Sequence, residues 1–210
     1  MNDDHPTETT GVTSAEGFDA LWALAHPIPG RLTESEAALL HRAACYSLRH
    51  LPPTSALVEV GSHHGRSTVV LAGVMRALRP DDMLIAIDPY ESALSGTPTQ
   101  SRAWTCEVSR DDLLGTGLLD WVEIVRLRST DVLWSRPVGM VFIDGLHDYA
   151  NVVADFEHFR QWVVRGGLVA FVTCPQSRPD VVRLVAEVVG GGDFVHLATA
   201  GVVTVLQRDS

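Results

Sequence analysis

The stretch that decides the fold runs from residue 56 to residue 68 and reads Ala56-Leu57-Val58-Glu59-Val60-Gly61-Ser62-His63-His64-Gly65-Arg66-Ser67-Thr68. Its first five residues are mostly apolar without strict alternation, which is typical of a strand covered on both faces of a sheet. Gly61 allows the backbone to turn sharply, and Gly65 allows a ligand to approach the start of the next helix. The stretch therefore predicts a strand–loop–helix unit with a ligand at the carboxyl end of its strand.

The same alternation of short apolar strands and helices continues along the chain. Strands are predicted at Ala56–Val60, Met83–Ile87, Val122–Val125, Met140–Ile143 and Leu168–Val172, and helices at Ser67–Leu78, around Gln100–Leu114, and at Ser129–Trp134, Asn151–Val164 and Pro179–Val189. Two β-rich runs, Phe194–Leu197 and Val202–Gln207, flank a glycine turn and indicate a hairpin. The pattern predicts an α/β fold with a Rossmann-like, doubly wound, mostly parallel seven-stranded sheet that ends in an antiparallel hairpin.

The region before the first strand follows a different pattern. Residues 1–13 are polar and turn-rich, and we expect a disordered tail there. Residues 14–53 are expected to add an N-terminal helical cap, in which Thr33 and Glu36 form a capping box for a helix that ends near His50. Residues 54–210 then form the α/β domain.

Composition narrows the possible chemistry. The 210 residues carry a net charge of −10, and all 16 basic residues are arginine. Without a basic surface, nucleic-acid binding is not expected, and the absence of lysine excludes P-loop and Schiff-base chemistry. The scattered Cys45, Cys106 and Cys174 predict neither a disulfide framework nor a structural zinc site. The acidic amino terminus and the lack of a long apolar run lead us to expect a cytoplasmic protein without a membrane partner.

The polar residues of the first unit favour a zwitterionic ligand. Glu59 lies near the carboxyl end of the strand, while Ser67 and Thr68 supply hydroxyls where the helix start favours an anion. The spacing ExGxxxGxST differs from GxGxxG, so a nicotinamide dinucleotide is disfavoured. The methionine moiety of S-adenosylmethionine (SAM) suits such a site, and a glycine turn without a ligand is the alternative.

Two further strand ends carry acidic residues. Asp88, which precedes Pro89, is placed to accept both hydroxyls of a ribose, and a solvated surface residue is the alternative. Asp144 ends the fourth strand and His147 follows on the loop. A histidine titrates near neutrality and suits general-base work on a hydroxyl, with Asp144 or Asp148 able to orient it. The alternative is an ordinary surface histidine.

Taken together, these motifs resemble the class I SAM-dependent methyltransferases. The resemblance covers about residues 55–175 and rests on Glu59-Val60-Gly61-Ser62, Gly65-Arg66-Ser67-Thr68, Ile87-Asp88-Pro89, Phe142-Ile143-Asp144-Gly145-x-His147-x-Tyr149 with Asp155, and Gly166-Gly167. The chain is most similar to the small-molecule branch that includes sugar O-methyltransferases of antibiotic pathways and cephalosporin-hydroxylase-like proteins.

The resemblance implies that SAM is the methyl donor and that residues 54–210 bind it. It places the methionine end on the loop after the first strand, the ribose on Asp88, and the adenine near the segment after the third strand. The implied cofactor-binding residues are Glu59, Gly61, Ser62, Gly65, Ser67, Thr68, Asp88, Pro89, Arg128, Ser129 and Asp144, and the implied catalytic base is His147.

One departure from the family concerns metal. In its metal-dependent members, the strand after the Gly-Gly pair ends in acidic residues or His-Asp, which join the fourth-strand aspartate around magnesium. Here Val172 and Thr173 stand at those positions. A hard dication needs several oxygen ligands, which Asp144 alone does not supply, so no metal is expected.

The expected function is O-methylation of a small hydroxylated metabolite in a biosynthetic pathway. A SAM-fold enzyme that transfers no methyl group, such as a cyclase, and a non-catalytic SAM-fold partner protein are the alternatives. We expect the acceptor to be selected by the N-terminal helices and by a lid that includes Tyr90, Pro98, Arg102 and Trp104. Assembly into a homodimer is left open.

Overall fold

Strands from the whole chain join in one sheet. The computed structural model describes residues 17–90, 109–145, 148–174 and 176–209. The strands are β1 (Ala56–Val60), β2 (Leu84–Ile87), β3 (Val122–Val125), β4 (Val138–Ile143), β5 (Val163–Val172), β6 (Phe194–Ala200) and β7 (Val203–Arg208). They lie in the order β3-β2-β1-β4-β5-β7-β6, parallel from β3 to β5, with β7 antiparallel to both β5 and β6. The predicted seven-stranded sheet with its terminal hairpin is confirmed.

Helices cover both faces of this sheet. They are α1 (Phe18–Ala25), α2 (Glu34–His50), α3 (Arg66–Leu78), α4 (residues 109–116), α5 (Tyr149–Arg160) and α6 (Pro179–Gly190). Apolar side chains of α1 to α4 pack on one face, and those of α5 and α6 pack on the other. Within β4, Met140 and Phe142 point to the first face while Val141 and Ile143 point to the second. Burial on both faces explains why the strands show no alternation of apolar and polar residues.

Two predicted elements differ in the structure. The helix expected at Ser129–Trp134 is a single 3₁₀ turn over Ser129–Asp131, because the Ser129 hydroxyl donates to the buried carboxylate of Asp155 and holds the turn there. The helix expected to reach Val164 ends at Arg160, and β5 begins at Val163 instead of Leu168. The pairing of β5 with β4 is irregular between these two points, and Gly166 has a φ of 74° there. This bulge hides the start of the strand from a reading of the sequence.

Two arginines of α3 hold the N-terminal helices in place. Arg66 donates to the backbone carbonyls of His26, Ile28 and Leu32 at 3.0, 2.7 and 3.0 Å. At the other end of α3, Arg79 donates to the carbonyl of Leu48 in the last turn of α2 at 3.0 Å, and to carbonyls that follow the helix, including Pro53 O at 3.0 Å. A guanidinium can bind several carbonyls at once because its donors form a rigid planar fork. The loop between α1 and α2 is thereby attached to the start of α3.

Glu36 attaches the start of α2 to the terminal hairpin. Its Oε2 accepts the backbone N–H of Thr33 at 2.7 Å, as the capping box predicts, and its Oε1 accepts the N–H of Val202 at 2.8 Å. Val203 pairs with Val172 at the carboxyl end of β5. The start of α2 therefore lies at the edge of the sheet where the parallel strands end.

No helix in the described ranges is both long enough and apolar enough to cross a membrane.

Replacement of Arg66 by alanine removes all three of its bonds to the α1–α2 loop. We expect the Arg66→Ala variant to lose about 2 kcal/mol of unfolding free energy, because hydrogen bonds from a charged donor are lost and carbonyls are left unpaired. Urea titration followed by circular dichroism measures this loss. Arg42→Ala on the exposed side of α2 is the control, and equal losses in the two variants would contradict the anchoring role.

Candidate functional site

The carboxyl ends of three strands bring three acidic side chains to one edge of the sheet. Glu59 belongs to β1, Asp88 follows β2, and Asp144 follows β4. The Asp144 N–H donates to the carbonyl of Val60 at 2.8 Å, so the ends of β1 and β4 stay paired up to this point. In parallel sheets such an edge is where ligands bind.

Glu59 is completely buried at this edge. The Thr68 hydroxyl donates to its Oε2 at 2.6 Å, whereas Oε1 has no hydrogen-bond partner within the described ranges. Burial raises the pKa of Glu59 to about 7, against the lowering effect of the nearby Ser67 and Thr68 hydroxyls, and the charges of Asp144 and Asp88 add to the rise. A cation bound at Oε1 would favour the charged carboxylate and lower this pKa again.

Gly61 occupies a position that only glycine tolerates. Its φ is 90°, and a Cβ there would lie 2.5 Å from the backbone oxygen of Asp144. Gly65 has a φ of 92°, and a Cβ there would lie 3.4 Å from the hydroxyl oxygen of Ser109 on α4. Both glycines thus shape the loop after β1, as the sequence predicts, and Gly65 also lets α4 pack close to that loop.

Asp88 organises the two segments beside it. Its Oδ2 accepts the backbone N–H of His63 at 2.8 Å, and its Oδ1 accepts that of Tyr90 at 2.6 Å. His63 and Tyr90 are the two non-glycine residues with positive φ in the described part of the chain, at 49° and 53°. A charged carboxylate has about four lone-pair sites, so both oxygens can accept further bonds, as two ribose hydroxyls would require.

Several buried polar atoms around the loop after β1 lack a hydrogen bond from any described residue. Besides Glu59 Oε1, they include the hydroxyl of Ser62, Nδ1 of His64 and the hydroxyl of Ser109. Native proteins pair nearly all buried polar atoms, so this group fits a ligand that carries both donors and acceptors. Sequence patterns did not identify Ser109, because it reaches the loop only through the packing of α4 against Gly65.

Asp144 forms an ion pair that the sequence did not predict. Arg178, the residue before α6, places Nη1 2.6 Å from Asp144 Oδ1, and the arginine side chain is only 12% exposed. Burial raises the pKa of Asp144, while the charge and hydrogen bond of Arg178 oppose the rise. A cavity of about 190 Å³ lies beside the pair.

Comparison with known proteins assigns the family. A family model described as a methyltransferase domain matches residues 58–171, which is more than half of the chain. The chain belongs to this methyltransferase family. The predicted methyltransferase and its Rossmann-like fold are therefore confirmed.

Solved structures share the fold of this methyltransferase. The O-methyltransferase NovP has a TM-score of 0.68 at 17% identity, over 86% of this chain and 84% of that chain. TomG from Streptomyces achromogenes, an O-methyltransferase involved in tomaymycin synthesis and solved with SAM, has a TM-score of 0.62 at 19% identity, over 94% and 91%. An O-methyltransferase from Bacillus cereus in complex with SAH (S-adenosylhomocysteine) has a TM-score of 0.62 at 15% identity, over 96% and 94%.

In the methyltransferase, the end of β5 offers no second acidic group beside Asp144. Val172 is apolar, and the Thr173 hydroxyl is bonded to the carbonyl of Val202 at 3.1 Å and to the hydroxyl of Thr204 at 2.9 Å. The described ranges contain no cluster of three or more histidine, cysteine or acidic residues that would hold a metal ion. Independence from metal stays a prediction.

The segment after β3 follows the edge of the sheet towards α5. Arg128 is exposed at the start of this segment, and the hydroxyl of Ser129 is buried in its bond to Asp155. Burial raises the pKa of Asp155, against the hydrogen bond from Ser129. The Ser129 side chain therefore serves the packing of α5, and a contact of this segment with adenine stays a prediction.

Other residues that the sequence singles out lie outside the described residues or make structural contacts. His147 and the lid residues Pro98, Arg102 and Trp104 lie outside the described residues. Tyr90 is buried beside Asp88. Asp148 is the N-cap of α5 and accepts the N–H of Asn151 at 3.2 Å, so its carboxylate is engaged at the start of that helix.

The buried Glu59 makes stability depend on pH. The pKa of Glu59 is about 7 in the folded state, whereas it has its ordinary value of 4.5 in the unfolded state. The folded state therefore keeps the proton to a higher pH. The free energy of unfolding therefore falls as pH rises through this window, by roughly 3 kcal/mol for the full shift. The glutamine in Glu59→Gln does not ionise. We therefore expect the free energy of unfolding of this variant, relative to the wild type, to rise by a similar amount between pH 5 and pH 8.

Urea titrations at several pH values measure this gain. Glu123→Gln, which changes an exposed glutamate of β3, is the matched control. Parallel stability–pH curves for the wild type and Glu59→Gln would contradict the assignment.

Proposed function

We propose that the methyltransferase transfers the methyl group of SAM to a hydroxyl of a small-molecule acceptor. The observation that carries this proposal is the buried, half-partnered Glu59 beside the Gly61 loop, with Asp88 at the neighbouring strand end. Likeness in fold to TomG solved with SAM and to the Bacillus cereus enzyme solved with SAH supports it. Family membership favours methyl transfer over the cyclase-like and non-catalytic alternatives.

The residues of this edge fit the parts of SAM in turn. Glu59 Oε1 offers an acceptor for the ammonium group, and the hydroxyl of Ser62 offers a partner for the carboxylate. Asp88 accepts the ribose hydroxyls beyond its two backbone bonds, next to Pro89. Gly65, Ser67, Thr68, Arg128, Ser129 and Asp144 complete the proposed cofactor site. When bound, SAM supplies an electrophilic methyl group.

The protein aligns the acceptor hydroxyl and removes its proton. We assign the proton acceptor to His147, which follows the end of β4 in the sequence. Asp144 is the second candidate, because burial raises its pKa and it lines the cavity of about 190 Å³. Holding two reactants in line lowers the barrier by up to about 7–11 kcal/mol, so positioning contributes as much as proton removal.

We assign the methyl acceptor to the class of small molecules. The chain has a net charge of −10, so a nucleic acid would meet repulsion over much of its surface. A small hydroxylated metabolite suits the size of the cavity beside Asp144. This proposal includes a biosynthetic role in the cytoplasm. The assays of SAM and SAH binding do not depend on that role.

Binding of SAM and SAH tests the cofactor assignment directly. We expect calorimetry to show binding of SAM and SAH and no binding of NAD. Asp88→Ala should weaken SAH binding by about 1–3 kcal/mol, because hydrogen bonds to the ribose are lost. Asp88→Asn keeps one acceptor oxygen and should fall between the wild type and the alanine variant. Asp120→Ala, at an exposed position before the start of β3 and away from the carboxyl ends of the strands, is the control. Binding of NAD without any response to SAH would overturn the assignment.

The proton acceptor is identified by turnover. We expect His147→Ala to lower turnover about 10²–10⁴-fold with SAH affinity unchanged, because it removes a base and no cofactor contact. A panel of hydroxylated metabolites with SAM, read out as SAH release and a mass gain of one methyl group, supplies the acceptor. Unchanged turnover in His147→Ala with a large loss in Asp144→Asn would move the base to Asp144.

The same assay in excess EDTA tests the metal-free proposal. Since Arg178 already neutralises Asp144, we expect EDTA to leave turnover unchanged. Loss of activity in EDTA that magnesium restores would contradict it.

A further inference from the structure

The cavity beside Asp144 has walls from both the N-terminal region and the sheet. Arg31 comes from the loop between α1 and α2, Glu36 from the start of α2, Ser67 from the start of α3, and Arg178 from the residue before α6. Apolar side chains, including Val172, complete the lining. Its volume is about 190 Å³. A cavity of about 150 Å³ holds one benzene ring, so this space takes a single six-membered ring with its substituents.

Three of the four charged groups around the cavity already have hydrogen-bond partners within the protein. Glu36 accepts two backbone N–H groups, from Thr33 and Val202. Asp144 and Arg178 form an ion pair at 2.6 Å. The ion pair has no net charge, and Glu36 keeps its negative charge but has both oxygens bonded to backbone N–H groups.

Arg31 is the fourth group, and its donors stay available to a ligand. Its side chain is exposed and makes no hydrogen bond or ion pair with another described residue. Its charge nevertheless reaches the site, since it is among the lesser causes that lower the pKa of Asp144, where burial is the main effect and raises it. The same charge contributes to the lowered pKa of His63, behind burial and His64. Because Arg31 lines the cavity and is also exposed to solvent, it lies where the cavity opens.

The backbone on either side of Arg31 is held in place. Arg66 donates to the carbonyl of Ile28 before it and to that of Leu32 after it, at 2.7 and 3.0 Å. A Cβ at Gly30 would lie 3.3 Å from the Arg66 side chain, so the loop packs tightly on this anchor. An arginine on a fixed backbone loses less freedom when it binds a ligand than one on a free loop.

We propose that this cavity selects an acceptor that carries an anionic group, a carboxylate or a phosphate, on the ring to be methylated, and that Arg31 pairs with that anion. The proposal rests on the proposed function, because it names the substrate class of the same site. Arginine suits this role, since its planar fork matches both anions with two parallel hydrogen bonds. Arg31 is a specificity residue here and takes no part in the chemistry.

Calorimetry with matched pairs of small molecules tests the inference on the full chain saturated with SAH. The first pair is 3,4-dihydroxybenzoate and its neutral amide, and the second is glucose 6-phosphate and glucose. We expect the anionic member of at least one pair to bind about tenfold more tightly, and the two pairs tell carboxylate from phosphate. Arg31→Ala should remove this preference, and Arg31→Lys should keep part of it.

Arg42→Ala, an exposed arginine of α2 that does not line this cavity, is the control and should keep the full preference. Equal binding of charged and neutral members, binding of neither anion, or an equal loss in Arg42→Ala overturns the inference. A loss of SAH affinity in Arg31→Ala also overturns it, because Arg31 would then serve the cofactor. Failure of the wild type to bind SAH removes the proposed function itself, which distinguishes the two outcomes.

Discussion

The close approach of Gly61 to the backbone oxygen of Asp144 sets the geometry of the whole site. A side chain at Gly61 would lie 2.5 Å from that oxygen, and the backbone φ of 90° is one that other residues rarely adopt. With this contact the loop after β1 folds over the ends of β4 and β2, where its His63 N–H reaches Asp88. Glu59 is then sealed below the loop, and its carboxylate faces the same space as Asp88 and Asp144.

Buried polar atoms without partners are concentrated around the loop after β1, although a few, such as Ser47 Oγ and His158 Nε2, lie elsewhere in the described ranges. Glu59 Oε1 and the hydroxyls of Ser62 and Ser109 are buried without partners from described residues. Each such atom costs about 1–3 kcal/mol of stability, which a bound ligand would restore by completing the hydrogen bonds. Local rules of folding are violated in this way mainly at functional sites, so the pattern supports the proposal that the loop after β1 binds a ligand.

Arginine takes every cationic role in a chain without lysine. Arg66 and Arg79 use their planar forks to bind backbone carbonyls and so attach the N-terminal helices to α3. Arg178 neutralises Asp144 beside the cavity. Because the anchored loop carries Arg31 into the lining of that cavity, the structural arginines also position the cation that we propose to bind the anion of the acceptor.

The sequence by itself determined the order of strands and helices, the terminal hairpin and the acidic strand ends Glu59, Asp88 and Asp144, because these depend on local apolar patterns and on spacing within one unit. Only the tertiary structure decided which side chains those acids meet. Arg178 lies 34 residues from Asp144, and Glu36 lies 166 residues from Val202, so no local pattern connects either pair. The early start of β5 was hidden for a related reason, since a strand with a bulge is defined by its pairing with β4 and not by its own residues.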